Sequence, residues 1–385
     1  MIRTDSLRGR AALMVAHCAG MVDLVALPVW VGALIAHYRF DPQQAGLLAT
    51  LFLVGAVFAS AVLAPRFHRL PGRAVAALGF AGAAIGFGAA STVSDFGTLA
   101  LLHSLAGVTA GAALSVTHGT IARSAAPHRN FALVGMALGV FAIVFLGATP
   151  PLIAARGGAT LFVAFAGVMA VAAVVSALAF PQPDVPAGAA HAAPAGPIPP
   201  AVWFGIAGIA GMGLVQAMTF SFLERVGSDR GFGLSAVTGV LIALGIVNLF
   251  PAALAALLER RLVARSVMLA GPVLQALLVV VIMNSTSFAA YAAAASVFAA
   301  VMIFTHTFAF GLRARLDTSG RAMAATPAML MIGAAIGPIL GGTLVKAHGY
   351  GSLGIAAPAI AAVAVACFAR LPSPGAAAAR QEVPA

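Results

Sequence analysis

Residues 181–200 read PQPDVPAGAAHAAPAGPIPP, a run of proline, alanine and glycine that cannot form a buried helix. Long apolar stretches lie on both sides of it, and each can form a membrane-crossing helix of about 20 residues. Six stretches precede the run, at about 11–36, 44–65, 73–92, 97–122, 131–153 and 159–180. Six follow it, at about 202–223, 234–257, 263–283, 288–312, 322–345 and 352–369.

This pattern predicts an all-α integral membrane protein with twelve transmembrane helices in two six-helix bundles. The first bundle is expected over residues 1–180 and the second over residues 201–372. Residues 181–200 are then a cytoplasmic linker, and residues 373–385 are a cytoplasmic tail.

The composition requires lipid as the solvent. The chain has 385 residues, of which 62% are hydrophobic and only 8% charged, and its mean hydropathy is +1.04. A soluble domain carries about 25% charged residues. Twelve spans leave no room for a sizeable soluble domain, which argues against a membrane sensor. The net charge of +11 lies in short loops, so we expect a lipid bilayer rather than nucleic acid as the partner.

The distribution of arginine and lysine predicts the orientation. If the N-terminus is cytoplasmic, sixteen of these side chains fall on the cytoplasmic side and five on the other. Positive residues concentrate in cytoplasmic loops. We therefore expect both termini in the cytoplasm of a bacterial-type inner membrane.

The two halves of the sequence also repeat each other at a nearly constant separation of 188–194 positions. Repeated halves of a transporter place a binding site near the middle of the membrane, between them. The matching pairs are Asp23 with Gln216, Pro65-Arg66 with Glu259-Arg260, Thr117-His118 with Thr305-His306, and Arg129 with Arg321.

Together these features resemble the major facilitator superfamily over essentially the whole chain. Its best-known motif, between helices two and three, is similar to residues 63–73 (LAPRFHRLPGR), although Pro65 occupies the acidic position. A second copy, between helices eight and nine, is similar to residues 258–265 (LERRLVAR). The resemblance implies a gating role in these cytoplasmic loops for Arg66, Arg69, Gly72, Arg73, Glu259, Arg260 and Arg265.

A glycine-proline sequence in the eleventh span is similar to one that proton antiporters of the family carry on helix five. It is formed by Gly333, Gly337, Pro338, Gly341 and Gly342. Small residues at this spacing let helices approach closely in lipid, and proline permits bending. We expect these residues to act in hinge motion or in packing, and the likeness to antiporters favours export.

Asp23 is the candidate for proton coupling that the sequence supports most strongly. It is the only carboxylate deep within a predicted span, whereas Glu224 is expected at the end of the seventh span, within reach of water. A central aspartate costs roughly 2.5–3.5 kcal/mol on insertion. Asp23 should therefore face a cavity, where it can exchange a proton. The alternative is a structural hydrogen bond to a neighbouring helix.

The histidines of the repeated Thr-His pairs are the next candidates for proton carriers. Histidine titrates near neutral pH, so His118 and His306 can carry protons or contact a substrate. In the resembled family, helices one, four, seven and ten line the central cavity. The resemblance thus implies that Asp23, His118, Gln216 and His306 form the substrate site.

Other polar residues within the spans have simpler expected roles. His17 and His103 favour a structural interpretation, and His103 stands where the family often has an arginine. Asn248 and Gln275 are expected to join helices by hydrogen bonds.

Copper transport is one alternative. Met14, His17, Cys18 and Met21 lie close together in the first span, and soft ligands of this kind suit Cu(I). No motif fixes a metal geometry, so no metal residue is assigned.

The sequence therefore predicts a secondary active transporter of a small organic solute. We expect proton coupling, alternating access, and export rather than import. The absence of a Walker loop and of a catalytic triad argues against ATP as the energy source and against an enzyme, and no cofactor is expected. One chain holds both halves, so a monomer is expected. The copper-type permease and a non-transporting sensor remain alternatives.

Overall fold

The structure is a computed structural model that describes residues 2–184, 199–316 and 321–372. Every regular element in these ranges is helical. Most of the predicted linker, residues 185–198, and the predicted tail, residues 373–385, lie outside the described residues.

Twelve helical stretches in the described ranges are long and apolar enough to cross a membrane, which confirms the predicted number of spans. The first six spans are built from seven helices. Their bounds are α1 Leu7–Gly20, α2 Val22–Tyr38, α3 Pro42–Leu63, α4 Gly72–Ala90, α5 Phe96–Ala122, α6 Pro127–Arg156 and α7 Ala159–Ala179.

The last six spans are likewise built from seven helices. Their bounds are α8 Pro200–Asp229, α9 Leu234–Val247, α10 Pro251–Leu258, α11 Ala264–Asn284, α12 Phe288–Leu316, α13 Arg321–His348 and α14 Gly351–Ala369. The eighth span is interrupted between α9 and α10, where Pro251 begins the new helix at a position that tolerates a missing N–H.

The first span is interrupted as well, between α1 and α2, where the sequence predicts one continuous helix. Met21 leaves the helical conformation, with φ −107° and ψ 13°, and its N–H still bonds to the His17 carbonyl. The next helix therefore begins in the middle of the membrane. A helix start carries a partial positive charge, and here that charge lies at Val22 and Asp23.

We name the two faces of the molecule by residues in their loops. The Asp41 side carries the loops that follow α2, α4, α6, α8, α11 and α13. The Arg66 side carries the opposite set, including the short 3-10 helix Ala64–Arg69.

In the described part of the chain, the main contacts between the first six spans and the last six are those of α2 with α8, α3 with α13, and α6 with α9. In the α3–α13 seam, glycine lets the backbones of the two helices touch. A Cβ at Gly46 would overlap the Pro338 carbonyl, and one at Gly342 would overlap the Pro42 carbonyl. Both contacts lie toward the Asp41 side, so the halves meet there.

The glycine-proline sequence of α13 also packs within the last six spans. A Cβ at Gly333 would overlap the Ala210 carbonyl of α8, and a Cβ at Gly337 would overlap Ala217. Small residues on α13 thus permit a close approach to α8 on one face and to α3 on another.

Aromatic residues fill the core of the first six spans. Trp30 lies at the centre of this cluster and meets Phe52, Phe87 and Phe165 edge to face at 4.9–6.2 Å between ring centroids. His103 stacks on Trp30 at 5.5 Å, and its Nδ1 donates to the Leu99 carbonyl. His103 is therefore part of the packed core, as the structural interpretation predicts.

Candidate functional site

Asp23 is the most unusual polar group in the membrane interior. It is the second residue of α2, and its side chain is only 1% exposed. Neither carboxylate oxygen has a hydrogen-bond partner among the described residues. The side chain lies at the positive end of α2, which favours a negative charge, while burial opposes it. Small changes in its surroundings can therefore change whether it holds a proton.

The structure pairs His118 with a residue that the sequence analysis ranked lower. Nδ1 of His17, in α1, lies 3.1 Å from Nε2 of His118, in α5. The ring centroids are 5.2 Å apart. At this distance one ring donates a hydrogen bond and the other accepts it, and the tautomers decide which ring is the donor. His17 and Asp23 flank the interruption at Met21, on either side of the same helix break.

Gln216 forms a polar contact between α8 and α11. Its Oε1 accepts a hydrogen bond of 3.1 Å from Nε2 of Gln275, which also donates to the Met212 carbonyl at 3.2 Å. Gln275 is buried. The expected helix-joining role of Gln275 thus includes holding the side-chain amide of a predicted substrate residue.

His306 contacts its own helix. Its Nδ1 lies 3.0 Å from the Met302 carbonyl, and its ring centroid is 4.9 Å from that of Phe310. The hydrogen bonds described here therefore join His118 to His17 and Gln216 to Gln275. Convergence of Asp23, His118, Gln216 and His306 on one cavity stays a prediction.

A metal site would require further ligands. Among the described histidine, cysteine, aspartate and glutamate residues, no group of three or more is placed to hold a metal ion. Cys18 and Cys367 are free thiols.

Two arginines of the loop motifs cap neighbouring helices. Arg73 donates to the carbonyls of Ala177 and Leu178, at the end of α7. Arg265 donates to the Ala369 carbonyl at 3.0 Å, at the end of α14. Each arginine bonds to the last carbonyls of a helix in its own set of six spans. The C-terminus of a helix carries a partial negative charge, so the arginine stabilises that helix end.

The remaining motif residues lie in the same loops on the Arg66 side. Arg66 donates to the Val62 carbonyl at 2.6 Å. Gly72 begins α4. Arg69, Glu259 and Arg260 lie in the segments between α3 and α4 and between α10 and α11. A gating role for the motif stays a prediction.

The start of the linker is tied to the Arg66 side of the first six spans. The Asp184 carboxylate accepts from the Thr4 hydroxyl and from the Ala125 N–H. Partial burial opposes ionisation, yet these hydrogen bonds keep the pKa of Asp184 below its ordinary value.

Residues 12–312 match the sequence pattern described as Major Facilitator Superfamily. They make up most of the chain, and the structure has the twelve spans of that family. The chain belongs to the Major Facilitator Superfamily. It is accordingly a multi-pass membrane protein of a family of secondary transporters. No curated protein sequence matches it.

Solved structures of the same superfamily share the fold. The nucleoside transporter NupG superposes with a TM-score of 0.72 at 14% identity, covering 93% of this chain and 98% of that one. A bacterial homologue of the human lysosomal transporter Spinster, inward-facing and unoccupied, gives 0.68 at 14%, covering 94% and 93%. The same homologue in its occupied form gives 0.66 at 16%, covering 96% and 94%.

In this superfamily member, a salt bridge joins the two sets of spans on the Asp41 side. Nζ of Lys346, the chain's single lysine, lies 2.9 Å from Oδ2 of Asp41 and 3.3 Å from Oε1 of Gln43. Partial burial opposes ionisation of Asp41. The Gln44 N–H and Lys346 outweigh it and hold the pKa of Asp41 below its ordinary value.

A hydroxyl group closes the seam deeper in the membrane. Oγ1 of Thr50, in α3, donates to the Ala335 carbonyl at 2.8 Å and accepts from the Ile339 N–H at 3.1 Å. These two backbone groups of α13 are four residues apart and would pair with each other in a regular helix. Thr50 thus bonds to both backbone groups of one turn of α13 in the opposite half, next to Pro338.

Glu224 lies elsewhere than the sequence predicts. Because α8 continues to Asp229, Glu224 is more than a turn inside the helix rather than at its end. Its Oε2 packs against Gly32 of α2. The prediction missed this contact because the apolar pattern alone places the end of the span near residue 223.

Proposed function

We propose that this protein is a proton-coupled secondary transporter of a small organic solute. Asp23 carries the proposal, because it is a buried carboxylate without a described hydrogen-bond partner at a helix break in mid-membrane. Ionisable residues inside a membrane mark proton or substrate pathways. Broken helices with their ends at mid-membrane are where transporters of this general kind bind solutes and ions.

The His17–His118 pair supports proton exchange along the first span, about 9 Å from Asp23 at 1.5 Å per residue. His17 lies one turn before the helix break at Met21, and Asp23 lies two residues after it. A proton leaving Asp23 then has imidazole acceptors on the preceding half-helix and on α5. We propose that protonation of Asp23 alternates with solute binding as the protein exposes the site to each side in turn.

A neutral or weakly charged solute fits the charges of the described residues best. Binding of dicarboxylates or phosphates calls for a cation in the cavity. Arg225, an arginine within the spans, is already paired with Asp229 at 2.6 Å, and this pair lies near the Asp41 side. Glutamine amides and imidazoles suit hydroxyl and amide groups instead. Nucleosides belong to this class, and the structural neighbour NupG is a nucleoside transporter.

We propose that a monomer is the transporting unit. We also propose that the Asp41 side faces out of a bacterial-type inner membrane and that both termini are cytoplasmic. The excess of arginine in the loops of the Arg66 side supports this orientation. Export is proposed from the likeness of residues 333–342 to the antiporter sequence.

The test uses purified protein in liposomes with an imposed pH gradient. Labelled nucleosides and a panel of neutral metabolites and drugs are offered, and flux is measured with and without the gradient. We expect accumulation of at least one solute to follow the gradient. Asp23→Asn should abolish that accumulation while retaining solute exchange at equal pH. Full gradient-driven accumulation by Asp23→Asn would remove Asp23 from the mechanism.

A further inference from the structure

A second carboxylate within the spans lies on the seam between the two halves. Oε2 of Glu224, in α8, faces the backbone of Gly32, in α2, where any Cβ would overlap it. Oε1 of Glu224 accepts a hydrogen bond of 2.6 Å from the Ser228 hydroxyl. Because α2 and α8 belong to different halves, this contact must break when the Asp41 side opens.

The cations near Glu224 are paired with other groups. Arg225 lies 2.6 Å from the Asp229 carboxylate, and Arg230 donates to the carbonyls of Ile282 and Met283. Arg225 still attracts Glu224, and Asp229 repels it. The closed seam therefore gives Glu224 one hydroxyl partner and no dedicated cation among the described residues.

The other helices packed near Glu224 add no free charge. In α2, residues 24–36 include no titratable side chain. In α12, Tyr291 donates its hydroxyl to the Leu223 carbonyl at 2.7 Å. Tyr350, just before α14, donates to Asp229 at 2.6 Å. At the end of α13, Lys346 pairs with Asp41.

We propose that Glu224 is a proton-controlled latch of the gate on the Asp41 side. In its protonated form it packs against Gly32 and holds the α2–α8 seam closed. In its ionised form it favours the open seam, where water from that side solvates the charge. The reason is the cost of enclosing an ionised carboxylate without a dedicated cation.

The latch is separate from the transported proton. Asp23 precedes Gly32 by nine residues, or about 13 Å along α2 at 1.5 Å per residue. Glu224 gains and loses its proton on the Asp41 side only. Closing binds one proton, so the ratio of open to closed molecules rises by up to tenfold for each unit of pH increase. The inference rests on the proposed alternating access and not on the solute.

The test measures distances between spin labels across the Asp41 side. Labels are placed by Ser94→Cys and Thr286→Cys, two exposed loop positions, in a background carrying Cys18→Ser and Cys367→Ser. We expect the long-distance population to grow with pH. Glu224→Gln keeps the side-chain size and should stay closed at every pH. Asp5→Asn, which removes an exposed carboxylate on the Arg66 side, should behave as the parent.

A second variant keeps the test informative if Glu224→Gln does not fold. Gly32→Ala adds a methyl group where Oε2 of Glu224 lies and displaces the carboxylate from the seam, so the pH dependence of the distances should become weaker than in the parent. Equal pH dependence in Glu224→Gln and the parent would overturn the latch, as would a parent whose distances ignore pH. Neither result bears on Asp23, whose role is read from gradient-driven flux.

Discussion

Replacement of Thr50 by valine should open the Asp41 side. Valine has nearly the same shape but lacks the hydroxyl that donates to Ala335 and accepts from Ile339. Each such hydrogen bond contributes about 0.5–1.5 kcal/mol net. The two backbone groups of α13 can recover part of this by pairing with each other. The closed form should therefore lose about 1–2 kcal/mol, a factor of about 5–30 in the ratio of closed to open molecules.

The assay is the same spin-label distance measurement, at one fixed pH. The parent reports the ratio of short to long distances between positions 94 and 286, and Thr50→Val should shift this ratio toward the long distance. Thr109→Val is the matched control. The Thr109 hydroxyl bonds to carbonyls of its own helix, Leu105 at 3.0 Å and Ala106 at 3.1 Å.

An unchanged distance ratio in Thr50→Val would refute this reasoning. So would an equal shift in Thr109→Val, because a general loss of helix stability would then explain both. Thermal unfolding of each variant separates the two cases. Loss of a contact between the halves should change the spin-label distances more than it changes the melting temperature.

Three further results are expected. Asp23→Asn should remove gradient-driven accumulation and keep exchange, measured by solute flux in liposomes. Lys346→Ala should open the Asp41 side by a factor of about 1.4 to 5, because exposed salt bridges contribute about 0.2–1 kcal/mol, and high salt should reduce the difference. Since the pKa of Asp41 is lowered, acidification of the parent should break this bridge only below the ordinary range of aspartate. Arg73→Gln and Arg265→Gln should lower the melting temperature by similar amounts, since each arginine caps one helix.

The sequence is sufficient to predict the spans and the family. A helix in lipid must satisfy its backbone internally and needs about 20 apolar residues, so composition alone marks where each span lies. The predicted limits of 73–92 and 97–122, for example, lie within two residues of α4 and α5. The prediction was less accurate where a helix extends past its apolar stretch, as at Glu224 in α8.

The partners of the candidate residues could not be predicted in the same way. His17 and His118 are 101 positions apart, and their contact depends on how α1 and α5 rotate against each other. The repeated Thr-His pairs pointed to His306 instead. The helix break at Met21 has no glycine or proline beside it except Gly20, so the apolar pattern there is typical of an uninterrupted helix. Packing of neighbouring spans decides both features.

The internal repeat helps to identify the seams that carry polar contacts between the two halves. An offset of 192 positions relates Arg73 to Arg265, and both cap a helix 104 residues later, so symmetry conserves this contact. The same offset relates Thr50 to Ile242, which meets Gly147 of α6 through carbon atoms alone. It also relates Glu224 to Gly32, the residue it touches. The α3–α13 seam therefore holds a polar group that its repeat, the α6–α9 seam, lacks. The α2–α8 seam repeats onto itself and holds Glu224 opposite Gly32. We expect control of opening to reside in these two seams rather than in the α6–α9 seam.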